Sequence, residues 1–473
     1  MKLALDYKKK KNIWIAFVCF SVVVAVLPLV LAVFRNPLGC DSAYYLTMIE
    51  MIGEGKLIYK DFGCGYTPLF FYMMAFLKKL FQVSYGNYEF YTAFFFVFQL
   101  LCAFFTYKIC RIININKYIS YIVSWWFILQ SHYMQGNAVL LEIPSMMFGM
   151  WGIYLIFRYK DSDYKQILSG LVLSCAMLCK QYGLGYFLLG LLLIVFVCKK
   201  KLIGIIELFI GFSLPCLLCI LIWKGDFIHL FFSGYGTVAG AAGEAGFSVV
   251  DKLSAYFCAI KLFFTRYSCI IPVSFIFIKS LIRHGYFKVY LFCLCGILGF
   301  LLQLCFAFSV HYMLYTLPFV SLIIALLLSL NDCVGMKAVA YASFGFMLMF
   351  ALYSTYNNRV KKIYIKDYKL KQQEFAAKIK SNVPEGKTIW IVNCGLYQNY
   401  YLTNLKPPYL NYSFGPAGLS ENDAEKMVYA TDFVLSFEEY DPYEAFYTKK
   451  LRKYVWEHEM IRIDEQTVLH KMR

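Results

Sequence analysis

The sequence predicts an α-helical polytopic membrane protein of about eleven transmembrane helices, with interfacial helices in the first outer loop and a small C-terminal extracytoplasmic α/β domain. Three observations predict it. Of 473 residues, 60% are hydrophobic and only 16% charged, with a mean hydropathy of +0.58, which is more apolar surface than one soluble core hides. The apolar residues form long unbroken runs, which select helices; a closed barrel would show short alternating strands. The 46 Lys and Arg outweigh the 29 Asp and Glu by 17 charges, and they sit in short clusters between apolar runs. That pattern is membrane topology with the basic side cytoplasmic, and it excludes a nucleic-acid partner.

The first apolar run, residues 13–34, follows Lys8, Lys9, Lys10 and Lys11, so the N-terminus is cytoplasmic. No small-x-small cleavage site follows, and Pro37-Leu38-Gly39-Cys40 misses a lipoprotein box by one place, so the run is read as helix one. Residues 42–52 and 68–81 are amphipathic and too short to span, and are expected to lie in the outer interface. Further spans are predicted near 89–110, 118–132, 142–158, 166–181, 182–198, 202–223, 267–282, 289–307, 312–330 and 338–356. Arg111, Lys117, Arg158, Lys160, Lys165, Lys199, Lys200, Lys201, Arg283, Lys288 and Lys337 then all fall inside, while the outer turns 132–141 and 308–311 carry no Lys or Arg.

Residues 1–356 form the membrane domain in this reading, and 357–473 the outer α/β domain, with strand-like runs at 388–392 and 431–437. It contains neither GxGxxG nor a P-loop, so no nucleotide site is expected. No internal repeat is evident, which weighs against a repeat-built transporter. Most of the 17 cysteines lie in apolar runs and act as small hydrophobes; Cys216 and Cys219 form a CxxC read as packing, since no second pair follows at zinc spacing. Cys40 and Cys64 are expected outside, where a disulfide is an option, and are read as unpaired.

Four loops place ionisable groups at one predicted depth: Asp41 just beyond helix one, Glu142 opening a span, Lys180 in a tight outer turn, and His311 with Tyr312 opening another. Each has an ordinary alternative. Asp41 caps a helix, Glu142 complements a helix dipole, Lys180 snorkels to lipid phosphate, and His311 satisfies a backbone group. Their coincidence at one level favours a site.

The stretches Gly39-Cys40-Asp41-Ser42-Ala43-Tyr44-Tyr45, Gly55-Lys56-Leu57-Ile58-Tyr59-Lys60-Asp61-Phe62 and Tyr66-Thr67-Pro68-Leu69 resemble the first outer loop of the C-superfamily integral membrane glycosyltransferases. The likeness is to the bacterial branch related to protein O-mannosyltransferases and lipid A aminoarabinose transferase. Leu141-Glu142-Ile143-Pro144, Cys179-Lys180-Gln181-Tyr182-Gly183, and His311-Tyr312 ahead of Leu317-Pro318 follow in order, so the resemblance covers roughly residues 10–330. Many relatives carry Asp-Glu where this chain has Asp41-Ser42, and the donor sugar and acceptor are not carried over.

The resemblance implies an inverting glycosyltransferase in the plasma (inner) membrane, taking a sugar from polyprenyl phosphate to a hydroxyl of an envelope lipid, polysaccharide or protein. Asp41 is then the catalytic base. Lys180, His311 and Tyr312 bind the donor phosphate, and Glu142, Asp61 and Tyr66 bind substrate. No cofactor or resident metal is expected; the partners are the polyprenyl-phosphate sugar, a glycan, lipid or protein acceptor, and membrane lipids. The glycine-dense segment 224–266 reads as a lid or a plain connection. The rivals are a flippase for lipid-linked sugars and a non-catalytic envelope scaffold.

Overall fold

The computed structural model describes residues 37–62, 64–134, 138–162, 164–244, 254, 256–258, 260–261, 263–264, 268–303, 310–330, 334–357, 368–393, 396–408, 421–439 and 449–473. The run expected as helix one, 13–34, lies outside the described residues, as does 245–253 of the glycine-dense segment.

Two helices occupy the first loop, α1 (Cys40–Gly53) and α2 (Leu69–Leu80). The membrane helices are α3 (Tyr88–Ile112), α4 (Lys117–Tyr133), α5 (Glu142–Arg158), α6 (Gln166–Cys179), α7 (Leu184–Val197) and α8 (Lys201–Glu244). Then come two short pieces, α9 (Ile270–Ser274) and α10 (Ile278–Arg283), followed by α11 (Phe287–Gln303), α12 (Leu317–Ser329) and α13 (Val334–Thr355). Asn87 and Asn116 cap α3 and α4, accepting from Phe90 N at 3.3 Å and Tyr118 N at 2.8 Å.

Four segments are long and apolar enough to cross a membrane alone: Tyr88–Ile112, Lys201–Ile228, His311–Ser329 and Val334–Ser354. Others, such as α6, are shorter apolar helices packed inside the bundle, so length alone does not recover the expected tally of crossings. The outer faces carry bare Leu202, Ile206, Leu218, Leu221, Phe346 and Met349, a surface that lipid solvates, and the chain is membrane-embedded.

Three expectations are corrected. The span predicted at 267–282 is broken into α9, a 3-10 turn at Phe275–Phe277 and α10. The run 202–223 ends where expected, at the non-helical Lys224 (φ 50°, ψ −132°), but beyond this kink α8 resumes and runs to Glu244, so this part of the supposed connection is helical. The helix α1 does not lie with a free face in the interface, because Ser42, Ala43, Tyr45, Leu46, Met48, Ile49, Glu50 and Met51 are all buried.

The burial of α1 comes from α2 and from the C-terminal part of the chain. The latter comprises α14 (Tyr368–Asn382), β1 (Ile389–Ile391), α15 (Gln398–Thr403), α16 (Glu421–Ala430), β2 (Phe433–Phe437), α17 (Lys449–Trp456), β3 (Glu459–Arg462) and β4 (Thr467–Lys471). The sheet order is β1-β2-β4-β3: β1 and β2 are parallel, with Ile389 opposite Phe433, and the other pairs are antiparallel. The parallel pair requires a crossover, which α15 and α16 supply. Strands β1 and β2 agree with the expected runs; β3 and β4 were not foreseen.

Candidate active site

Glu142 is the first residue of α5, and the helix tolerates Pro144 because first-turn N–H groups have no helical partner. Ser145 Oγ donates to Ala176 O at 2.8 Å, fixing this turn against the end of α6. There α6 stops: Lys180 is extended (φ −156°, ψ 136°), a 3-10 turn Gln181–Gly183 follows, and Gly183 N donates back to Lys180 O at 2.8 Å. Only glycine fits at 183, where a Cβ would stand 2.2 Å from Ala176 O. The turn is thus held tightly enough to place one side chain reproducibly.

That side chain is a cation inside the protein. Lys180 is 2% exposed and Glu142 fully buried; Lys180 Nζ donates to Glu142 Oε1, and His311 Nε2 lies 3.4 Å from the same oxygen. A buried ammonium is tolerated only when paired, and Glu142 provides the pairing. Three tyrosine rings surround the ammonium, with centroids 4.5 Å (Tyr312), 5.5 Å (Tyr182) and 5.6 Å (Tyr66) from Nζ. His311 and Tyr312 come from the 3-10 segment Val310–Thr316, and Tyr312 meets Tyr182 edge-on at 5.3 Å.

The first loop closes the other side. Gln181 Nε2 donates to Gly65 O at 2.7 Å and Thr67 Oγ1 to Met177 O at 2.9 Å, which sets half-buried Tyr66 beside the cluster. Ser42 Oγ donates to Val139 O at 3.2 Å, tying the start of α1 to the segment that leads into Glu142. Asp41, in the first turn of α1, is exposed and close enough to act electrostatically on Tyr45, Tyr66, His311 and Tyr312.

Of the seven residues singled out from sequence, the structure brings together Glu142, Lys180, His311, Tyr312 and Tyr66, with Asp41 at their exposed rim. Asp61 stands apart. Its carboxylate accepts from Leu57 N at 2.7 Å and serves the turn between α1 and α2. Two neighbours stood in the quoted motifs but were given no role: Tyr45, buried with its ring 5.4 Å from that of Tyr66, and Tyr182. Tyr45 had a signal, since it follows Asp41 by four residues and so shares its helix face. The ordinary alternatives for two residues do not hold. Asp41 makes no cap, the cap position being Gly39, and Lys180 does not reach for lipid headgroups.

Cys40 and Cys64 are thiols and are not joined to each other in a disulfide. Among the described residues no group of three or more His, Cys, Asp or Glu is placed to hold a metal ion. A cavity of about 110 Å³ opens at the opposite helix ends, lined by Lys160, Asp161, Gln166, Lys199 and Glu207, far along α6 from Lys180.

Residues 64–231, roughly a third of the chain, match the profile of the dolichyl-phosphate-mannose-protein mannosyltransferase family. The match includes Tyr66, Glu142 and Lys180 and stops short of Asp41 and His311. No curated protein matches the chain. Among solved structures, ArnT from Cupriavidus metallidurans aligns in its apo state with TM-score 0.61 at 11% identity, over 98% of each chain. The same protein bound to undecaprenyl phosphate aligns with TM-score 0.63 at 10% identity, again over 98% of each chain. The fold is therefore that of ArnT, and residues 64–231 are similar to the O-mannosyltransferase family, in keeping with the resemblance seen in the first-loop motifs.

Proposed function

We propose that this protein is an inverting glycosyltransferase that moves a sugar from a polyprenyl-phosphate donor to a hydroxyl of an envelope acceptor at the outer membrane face. The observation that carries the reading is the buried Glu142–Lys180–His311 cluster, ringed by tyrosines, with the exposed Asp41 carboxylate from another part of the chain near enough to act electrostatically on His311 and Tyr312. A flippase places its ionisable groups along a path near mid-membrane, whereas these stand together at helix ends.

In the proposed reaction the acceptor oxygen attacks the anomeric carbon, the bond from that carbon to the phosphate oxygen breaks, and polyprenyl phosphate leaves with the electron pair. Asp41 takes the acceptor's proton, a role that suits a carboxylate open to an incoming substrate. Attack opposite the leaving phosphate inverts the anomeric centre. The developing phosphate charge requires fixed donors in a site poor in water, and Lys180, His311 and the Tyr312 hydroxyl supply them. Glu142 has a second task. Its Oε2 is buried with no hydrogen-bond partner, so a sugar or acceptor hydroxyl is the group that would satisfy it. With the leaving charge met by Lys180, no resident metal is invoked, and treatment with a chelator is expected to leave transfer unchanged.

The test compares envelope glycans and lipids of cells with and without the protein, then of the deletion strain carrying Asp41→Asn. A glycan that disappears with the protein and stays absent with the variant at normal protein levels is expected. Restoration by Asp41→Asn overturns the reading.

A further inference from the structure

Helix α1 carries Asp41, and the C-terminal part of the chain holds that helix at both ends. Gln372 on α14 grips the backbone of Leu38 from both sides: Leu38 N donates to Gln372 Oε1 at 2.9 Å, and Gln372 Nε2 donates to Leu38 O at 2.9 Å. One side-chain amide thus imitates a strand partner and fixes the backbone three residues before Asp41. Gln398, the first residue of α15, accepts from Cys40 Sγ at 3.4 Å, one residue before Asp41. At the far end of α1, Lys406 Nζ sits 2.9 Å from Glu54. Beyond α2, Tyr85 OH donates to Tyr401 O at 2.6 Å with the two rings stacked at 5.3 Å, and Lys369 pairs with Glu89.

These contacts are unequal. The Lys406–Glu54 and Lys369–Glu89 pairs are partly solvated charges that dock one body on another. The amide of Gln372 is different: it meets main chain, in a geometry that only the correct Leu38 backbone satisfies, and it does so where the chain enters the turn bearing Asp41. We infer that Gln372, seconded by Gln398, is a positioning residue that sets the height and direction of Asp41 over the Glu142–Lys180–His311 cluster. The C-terminal part of the chain is then a component of the transfer machinery that touches no substrate. This rests on the transferase reading above, in which Asp41 is the base. A base must stand within hydrogen-bond reach of the proton it takes, and misplacement by about 1 Å costs on the order of a hundredfold in rate.

The experiment uses the full chain in lipid nanodiscs and the deletion strain. Three variants are compared: Gln372→Leu, which removes both bonds; Gln372→Glu, which keeps an acceptor for Leu38 N; and Lys406→Ala, which cuts only the distant ion pair. For Gln372→Leu, amide exchange over residues 38–46 is expected to rise by about tenfold or more while α3 to α6 stay protected. Undecaprenyl phosphate, the probe for the donor phosphate, should bind within about twofold of the wild type, and the product should fall by about tenfold or more. Gln372→Glu should fall between wild type and Gln372→Leu in both exchange and product, and it carries the test if Gln372→Leu fails to accumulate. Lys406→Ala should match the wild type over 38–46 and in product.

Unchanged exchange over 38–46 in both Gln372 variants overturns the clamp. Raised exchange with product undiminished overturns its part in catalysis. If Asp41→Asn also leaves product intact, the transferase reading is what fails, and the exchange result still decides whether the clamp exists.

Discussion

Lys180 is the residue on which the site's stability and its chemistry converge. Its ammonium is out of water, so removing its counter-charge leaves an isolated buried ion, a change that costs about 3–5 kcal/mol. Glu142→Ala is therefore expected to lower unfolding stability by about that much in detergent. The double variant Glu142→Leu with Lys180→Met should recover most of the loss, because an apolar pair of similar volume replaces a buried ion pair at little cost. Binding should not recover with it. A hydrogen bond from a charged donor contributes about 1.5–3 kcal/mol, so Lys180→Met alone should weaken undecaprenyl phosphate binding by about ten- to a hundredfold in a titration. Stability restored without binding would separate the two roles. Glu142, Lys180 and His311 were legible in sequence because each is an ionisable group at a helix end, where spanning needs none. The others were less so. Tyr182 was hidden among 40 tyrosines, and Asp61 looked like its neighbours until the turn at 57–61 used its carboxylate.

Elements explain what the sequence could and could not announce. Helix ends such as Glu142–Arg158 and Lys117–Tyr133 were readable within a residue or two, since apolar runs, caps and basic breaks coincide there. The contact between α6 and α8 was not, because it depends on two glycines from distant runs. A Cβ on Gly211 would stand 2.0 Å from Ile167 O, and one on Gly170 would stand 2.2 Å from Leu208 O, so the backbones touch. Gly211→Leu is expected to force these helices apart, costing about 1–3 kcal/mol or more and lowering the melting temperature in detergent. The buried face of α1 was illegible for a related reason: its amphipathicity was judged against lipid, and one of its partners lies over three hundred residues later. Strands β3 and β4 are short, and their pairing with β2 is not a local property. Strand β4 also carries a pH response. Burial, with His458 and Arg452 nearby, pushes the His470 imidazole down to about 4, beside Ser436 Oγ at 3.4 Å. The unfolded chain takes that proton near pH 6.5, so stability is complete above that value and is lost as the pH falls towards 4. His470→Phe should flatten this part of the melting-temperature profile.

For the molecule as a whole, the decisive fact is that most of the basic residues flanking the membrane helices lie at the end of the bundle away from the candidate site. Arg111, Lys117, Arg158, Lys160, Lys165, Lys199, Lys200, Lys201, Arg283, Lys288 and Lys337 lie at or beside the ends of α3 to α13 away from Glu142. The segments at the other end, 138–141, 180–183 and 310–316, contain only Lys180 and His311 as basic groups. By the positive-inside rule we propose that the site faces outward. The C-terminal sheet shares that side, and this does not depend on counting spans, because Gln372, Gln398 and Lys406 touch α1 directly. In the proposed reading, orientation in turn bears on the donor class. Nucleotide sugars are cytoplasmic, so an outward site must draw on a sugar already carried across on lipid, whereas an inward site would not need one. Alkaline phosphatase, which is active only outside the cytoplasm, is therefore expected to be active when fused after Arg473 and inactive when inserted in the 159–165 loop. The reverse pattern would turn the Glu142–Lys180–His311 cluster to the cytoplasm and remove the physical reason for a polyprenyl-phosphate donor, while leaving the pairing and packing of the cluster as they are.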